Sequence, residues 1–193
     1  MKFYSKRNKV TLQEGLVHKQ VKDPRAACLE ASILRGLHAR GAAVPEVLAC
    51  EGNLLVLEYL PGEPLADLIE RGDYNPEALA SALCDWFAAF YIAVPPGESR
   101  GDVNGRNFLY DGTKIYSVDF EERCYGPKAR DAGRLAAFIE TYNTSDTLKQ
   151  IALAEAIMCA FAESFDCDMS EILSEKEAEY DAMRLRRHHR PQP

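Results

Sequence analysis

A chain of 193 residues and 21.6 kDa can bury one core, or two small lobes sharing a cleft, and is too short for two independent domains. With 47% hydrophobic and 27% charged residues it is composed like a folded globular protein, which excludes the disordered, collagenous and repeat classes. Its net charge of −7 argues against a general nucleic-acid binder, because counterion release from phosphates needs a clustered basic surface.

From the N-terminus, Lys2-Phe3-Tyr4-Ser5 and Val10-Thr11-Leu12 read as short strands around the polar turn Ser5-Lys6-Arg7-Asn8-Lys9. Leu16 to Val21 follows Gly15 as a third strand, so a small antiparallel sheet is expected. By the two-residue period Val17, Lys19 and Val21 share a face, and Lys19 is either snorkelling between apolar neighbours or set to meet an anion. Asp23-Pro24 has the form of a helix start, Asp capping and Pro in the first turn. That helix runs through Arg25 to about Leu37, with Ala27, Leu29, Ile33, Leu34 and Leu37 as its apolar positions and Glu30 upon it. Beyond the break Gly41-Ala42-Ala43-Val44-Pro45, two further strands are predicted over Glu46 to Cys50 and Leu54 to Glu58.

Leu57-Glu58-Tyr59-Leu60 runs into Pro61-Gly62, punctuation that suits a connector, and the pattern then turns helical. Leu65 to Ile69 begins one helix; Pro76 opens another whose Leu79, Leu83, Trp86, Phe87 and Phe90 are spaced for one face, which assigns Trp86 to a core. Val94-Pro95-Pro96-Gly97 stops that helix, and residues 100 to 120 form a loop with short strands. Helices are predicted again over Asp131 to Tyr142, Thr147 to Phe165 and Ser170 to about Arg187. A strand-rich beginning before a larger helical part is an α+β arrangement.

No apolar run approaches the ~20 residues that span a bilayer, and Met1 to Arg7 leads into no signal-type apolar core, so a cytoplasmic protein without a membrane partner is expected. Cys28, Cys50, Cys84, Cys124, Cys159 and Cys167 lack C-x-x-C spacing and sit mostly among apolar neighbours, so buried free thiols are expected, not zinc ligands or disulfides. One stretch is locally basic, Arg184-Leu185-Arg186-Arg187-His188-His189-Arg190. It is a solvated helix end beside the helix's negative pole, or a contact for RNA or an acidic partner.

The chemistry concentrates in Arg100-Gly101-Asp102-Val103-Asn104-Gly105-Arg106-Asn107 and in Ile115-Tyr116-Ser117-Val118-Asp119-Phe120-Glu121. An Asp, an amide-bearing Asn five positions later and a second Asp closing an apolar run resemble H-R-D-x-x-x-x-N and D-F-G, with which protein-kinase-like enzymes position a hydroxyl and hold magnesium. Within that superfamily the chain is most similar to aminoglycoside and choline phosphotransferases and other compact atypical kinases, over roughly residues 16 to 140 in order.

The resemblance implies a two-lobe fold: residues 1–57 as sheet plus helix, 58–63 as hinge and 64–193 as helical lobe. It implies ATP and Mg2+ as cofactors. Asp102 would orient the acceptor hydroxyl and take its proton, while Asn107 and Asp119 hold the metal ions through hard oxygens. Lys19 would contact phosphates with Glu30 as its partner, and Glu58 and Leu60 would offer backbone groups to the adenine edge. Asp119-Phe120-Glu121 and the G-x-x-x-x-D from Gly126 to Asp131 lean towards the aminoglycoside and choline group, with Asp131 bracing the catalytic loop. Taken singly, Asp and Asn in a Gly-containing loop make turn hydrogen bonds and nothing more; it is their shared register that favours catalysis.

Three departures bear on this. Arg100 stands where the family places a bracing His, no G-x-G-x-x-G lies near the N-terminus, and the turn Ser5 to Lys9 would meet phosphate with side-chain cations instead. The chain is also short for an antibiotic or choline kinase, which suits an open acceptor site. The small kinase of the KEOPS tRNA-modification complex is a comparable compact relative with a basic tail, ranked lower because D-F-G is missing here. The expected function is ATP- and Mg2+-dependent transfer of a γ-phosphoryl group to a hydroxyl on a small molecule or a protein. The alternative is a pseudokinase or scaffold that engages a partner.

Overall fold

The computed structural model describes residues 8 to 188. The strand expected over Lys2 to Ser5, most of the polar turn after it, and His189 and Arg190 lie outside them. Strands β1 (Lys9–Gln13) and β2 (Leu16–Gln20) form a hairpin through Glu14-Gly15, both at positive φ, the left-handed turn that suits strand twist. Helix α1 (Pro24–Ala39) starts as the sequence indicates: Asp23 accepts the Arg25 N–H at 2.9 Å and Pro24 occupies the first turn. Strands β3 (Val47–Glu51) and β4 (Leu54–Glu58) complete an antiparallel sheet of order β1-β2-β4-β3. Helix α1 lays Ala27, Glu30, Ala31, Ile33, Leu34 and Leu37 inward; Leu29, expected among the apolar positions, faces outward.

The second half is mainly helical, with α2 (Leu65–Arg71), α3 (Pro76–Ala93), α4 (Lys128–Glu140), α5 (Thr147–Phe165) and α6 (Met169–His188). Asn75 caps α3 by accepting the Ala78 N–H at 2.8 Å. Short strands lie just before α2 and between α3 and α4. β5 (Glu63–Pro64) pairs with β7 (Phe108–Tyr110), which pairs with β8 (Ile115–Ser117), and β6 (Glu98–Ser99) pairs with β9 (Cys124–Tyr125). This is the expected α+β arrangement.

The core under the site is aromatic. Trp86 stacks on Phe90 at 5.3 Å and meets Phe108 edge-on, while Phe87 meets Phe161 at 4.8 Å. Trp86 is a core residue with a polar tip: its Nε1–H donates to the Ala43 carbonyl at 3.0 Å, which also accepts the Ser117 N–H at 3.0 Å. The segment after α1 is thereby tied to the helical half directly behind the site. All six cysteines are free, but only Cys84 is buried, and Cys28 and Cys159 are exposed, which corrects the expectation of buried thiols. Sequence neighbours on a helix point in other directions, so an apolar flank does not bury a residue. Among the described residues no helix is long and apolar enough to cross a membrane.

Candidate active site

Lys19 sits mid-strand in β2 and is only 6% exposed, so it does not snorkel. Its ammonium donates to both carboxylate oxygens of Glu30 at 2.8 Å each and to Asp119 Oδ1, and lies 4.0 Å from Glu121 Oε1. Burial alone would lower the Lys19 pKa, but the Glu30 and Asp119 carboxylates outweigh it and hold the ammonium above its ordinary value. Glu30, 1% exposed on α1, is pushed upward by burial, with Lys19 and the Phe120 N–H pulling the other way. A cation between a helix and the turn after β8 thus joins the two halves.

Asp119 itself has φ +66°, left-handed backbone that costs a non-glycine residue roughly 1–2 kcal/mol. The surroundings hold it there. Phe120 is buried, its N–H bonds to Glu30, and the Arg100 guanidinium lies 4.0 Å above its ring.

Arg100 resolves the missing histidine. It is buried, and its Nε donates to Ser117 Oγ at 3.2 Å while Nη2 donates to the carbonyls of Val118 at 2.8 Å and Asp119 at 3.1 Å. Its backbone N–H and that of Gly101 bond to the two oxygens of Asp131 at 2.8 and 3.0 Å, and the Tyr91 hydroxyl donates to the same carboxylate at 2.9 Å. Gly101 has φ +72° and a Cβ there would run into the Cys124 side chain. Burial lowers the Arg100 pKa, against the pull of Asp102, Asp131 and Asp119, and raises that of Asp131 in spite of its three donors. Bracing of the loop is therefore present, carried by an arginine. Arg100→Met leaves the Val118 and Asp119 carbonyls and Ser117 Oγ without this donor and is expected to cost about 3 kcal/mol, read as a lower urea midpoint.

Asp102 is exposed beside the cleft, with Oδ1 accepting the Asn104 N–H at 3.2 Å. Asn107 is buried at the end of a 3₁₀ turn, Gly105–Asn107, and donates Nδ2–H to the Asp102 carbonyl at 3.4 Å. That donation fixes the amide's orientation and leaves Oδ1 as the end that can accept. The Asn107 carbonyl takes the Val118 N–H at 2.9 Å and the Ser117 hydroxyl at 3.0 Å, so the turn that carries Asn107 is fastened to the segment that leads into Asp119. Tyr142 was not singled out from the sequence. Its hydroxyl accepts the Gly105 N–H at 2.7 Å and donates to Asn104 Oδ1 at 3.3 Å, and burial pushes its pKa up to about 12.

A cavity of about 400 Å³ opens here, with Asp102, Asp119, Arg100 and Glu121 on one side and Asn8 and Asp23 on the other. Lys19, Glu30 and Asp119 are in direct contact, and Asp102 and Asn107 are bonded to each other at the same turn. Glu58 and Leu60 do not line this cavity: the Glu58 N–H is bonded to the Glu46 carbonyl at 3.0 Å, and Leu60 is buried. The Asn107 amide oxygen and the Asp119 carboxylate are hard donors of the kind magnesium takes, completed by water and phosphate. Among the described residues no three His, Cys, Asp or Glu side chains gather as a metal cage.

No protein-family model matches the chain. In sequence it is 36% identical over 91 residues to the EKC/KEOPS complex subunit BUD32 of Encephalitozoon cuniculi (strain GB-M1). That match spans 47% of this chain and 44% of the relative, so under half of the relative's length is covered. A solved choline/ethanolamine kinase family protein from Mesorhizobium loti superimposes with a TM-score of 0.57 at 14% identity, over 100% of this chain and 82% of that one. The chain has a protein-kinase-like fold. The ADP-bound aminoglycoside phosphotransferase APH(2'')-Ib shares the kinase-like fold with a TM-score of 0.56 at 11% identity, over 91% of this chain and 89% of that one. WbdD does so with a TM-score of 0.54 at 17% identity, over 91% of this chain and 48% of its own. The sequence match is thus to the compact kind of kinase ranked second from the motifs, and the structural likeness extends to the aminoglycoside and choline enzymes.

Proposed function

We propose that this kinase-like chain is an ATP- and magnesium-dependent phosphotransferase acting on a hydroxyl of a small molecule or a protein side chain. The observation that carries it is the Lys19 ammonium held between Glu30 and Asp119 at the edge of an open cavity, with Asp102 and Asn107 bonded to each other beside it. The ADP-bound neighbour supports a nucleotide in the cleft. In this reading residues 1–57 and 64–193 are the two lobes and 58–63 the hinge, with the Glu58 carbonyl and the Leu60 N–H on the adenine edge.

Magnesium, held by Asn107 and Asp119, supplies neutralisation of phosphate charge when bound. Lys19 presents its ammonium to the phosphates, and Glu30 keeps that ammonium from swinging away. Asp102 would accept a hydrogen bond from the acceptor hydroxyl, aim its oxygen at the γ-phosphorus and take the proton as the new O–P bond forms and the bond to the β–γ bridging oxygen breaks, with ADP as the leaving group. Arg100 and Asp131 hold the loop so that these groups keep their spacing.

Thermal unfolding with and without ATP and magnesium tests the reading cheaply. Nucleotide at 100 times its dissociation constant stabilises by about 2.7 kcal/mol, and the same sample is assayed for release of labelled phosphate and transfer to a metabolite panel and a lysate. A Tm rise that needs magnesium, with slow phosphate release, is expected. An unchanged Tm with no turnover would favour a scaffold that keeps the fold alone.

A further inference from the structure

Helix α4 holds the catalytic loop at two points. Asp131, in its first turn, receives the Arg100 and Gly101 N–H groups ahead of Asp102. Tyr142, two residues past the helix end, receives the Gly105 N–H on the far side of Asp102 at 2.7 Å. Tyr142 is itself fixed. Gln150 of α5, 3% exposed, donates Nε2–H bonds to the carbonyls of Ile139 at 2.7 Å and Tyr142 at 2.8 Å, and the tyrosine ring packs against the core. Carbonyls at a helix end lack donors from their own helix, so one buried amide both closes α4 and holds the residue after it.

The turn beneath the hydroxyl is shaped to admit it. A Cβ at Gly105 would lie 2.9 Å from Tyr142 Oη and 3.2 Å from the Ala66 backbone nitrogen, so only glycine fits. Asn104 Oδ1 accepts the Tyr142 O–H at 3.3 Å and the Arg106 N–H at 2.9 Å, and the Asn104 carbonyl accepts the Asn107 N–H at 2.8 Å. The Asn104 N–H in turn bonds to Asp102 Oδ1 at 3.2 Å. Asn104 and Gly105 thus stand between the proposed proton acceptor and the proposed metal ligand, and both are bonded to one phenolic oxygen.

We propose that Tyr142 is a positioning residue for phosphoryl transfer, fixing the spacing between the Asp102 carboxylate and the Asn107 amide oxygen without touching either. This role rests on the phosphotransferase reading. A phenol suits the task because its single oxygen accepts and donates at once. Burial pushes its pKa up to about 12, so it keeps the proton it donates throughout the neutral range. Without the hydroxyl the buried Gly105 N–H has no acceptor, and the turn must shift to find one. Any such shift moves Asn107 and Asp102 relative to each other, and a misplacement of about 1 Å can cost on the order of 10²-fold in rate.

The test compares Tyr142→Phe with wild type in labelled-phosphate transfer, well below the Tm, with saturating nucleotide and varied magnesium. Expected is a kcat lower by about 10–100-fold and a severalfold higher magnesium concentration for half-maximal rate, in a protein whose Tm falls by only a few degrees. Gly105→Ala, which presses a methyl against the same hydroxyl, should show both changes. Ile157→Val, inside the α5 core, also lowers the Tm and should change neither, which separates positioning from lost stability. Wild-type kcat and magnesium requirement in Tyr142→Phe, or changes no larger than those of Ile157→Val, overturn the proposal and leave the phosphotransferase reading in place. Absence of turnover in the wild type itself would sink that reading, and this role with it.

Discussion

Lys19→Met is expected to destabilise the fold by about 3–5 kcal/mol at pH 8, and by progressively less as the pH falls towards 4.5. The substitution removes the ammonium from both oxygens of a carboxylate that is 1% exposed, leaving Glu30 with the Phe120 N–H. Asp119, with a side chain 41% exposed, can turn to water, so the penalty falls on Glu30. The sign follows from its titration. Burial already holds the Glu30 carboxyl above its ordinary 4.5, and without Lys19 it rises further. Below 4.5 it is protonated both folded and unfolded and costs nothing. As the pH climbs past that value the unfolded state ionises first and folding loses ground. The wild type loses stability in the same direction but also in a much higher window, because its raised Lys19 keeps its stabilising charge below 10.5 and loses it only as the pH rises through the folded value. Lys19→Met/Glu30→Leu should recover most of the loss, since a buried ion pair replaced by apolar groups of similar size is often neutral. Urea unfolding of all three proteins between pH 4.5 and 8 decides it. A pH-independent loss, with no recovery in the double variant, would mean that the pair does not act as a buried ion pair.

The parts of this arrangement that the sequence exposed are those where side chains follow a local rule. Asp23-Pro24 announces α1, Leu54–Glu58 and Thr147–Phe165 are bounded as their patterns and punctuation indicate, and the two-residue period places Lys19 on a covered face. Trp86 follows from helical spacing. What was illegible depends on backbone partners, which any residue type can supply. Arg100 could not be read as a brace because its guanidinium is received by the carbonyls of Val118 and Asp119, and Tyr142 could not be linked to the loop because it binds the Gly105 N–H. The left-handed backbone at Asp119 carries no glycine to mark it. The pairings β6·β9 and β5·β7 are two residues long and have no period to detect. Cys28 was misjudged from Ala27 and Leu29 beside it, of which the first is buried and the second, like Cys28, exposed.

Asp102→Asn should lower phosphoryl transfer by about 10²–10⁴-fold, the usual worth of a positioned proton acceptor, while leaving the nucleotide-induced Tm rise in place. The two effects separate because the residue's structural duty is small and survives the change. Asp102 Oδ1 accepts the Asn104 N–H, which an amide oxygen does equally well, and its carbonyl, which receives Asn107 Nδ2, is untouched. The loop's bracing comes from Arg100 and Asp131 and does not pass through the Asp102 side chain. What the amide lacks is an ionised oxygen for the acceptor hydroxyl's proton. Asp119→Asn supplies the contrast: it weakens the bond to Lys19 and takes a charge from the proposed metal site, so magnesium-dependent nucleotide binding should fall together with turnover. Transfer at the wild-type rate in Asp102→Asn would reduce Asp102 to a turn residue, its carboxylate serving Asn104 alone.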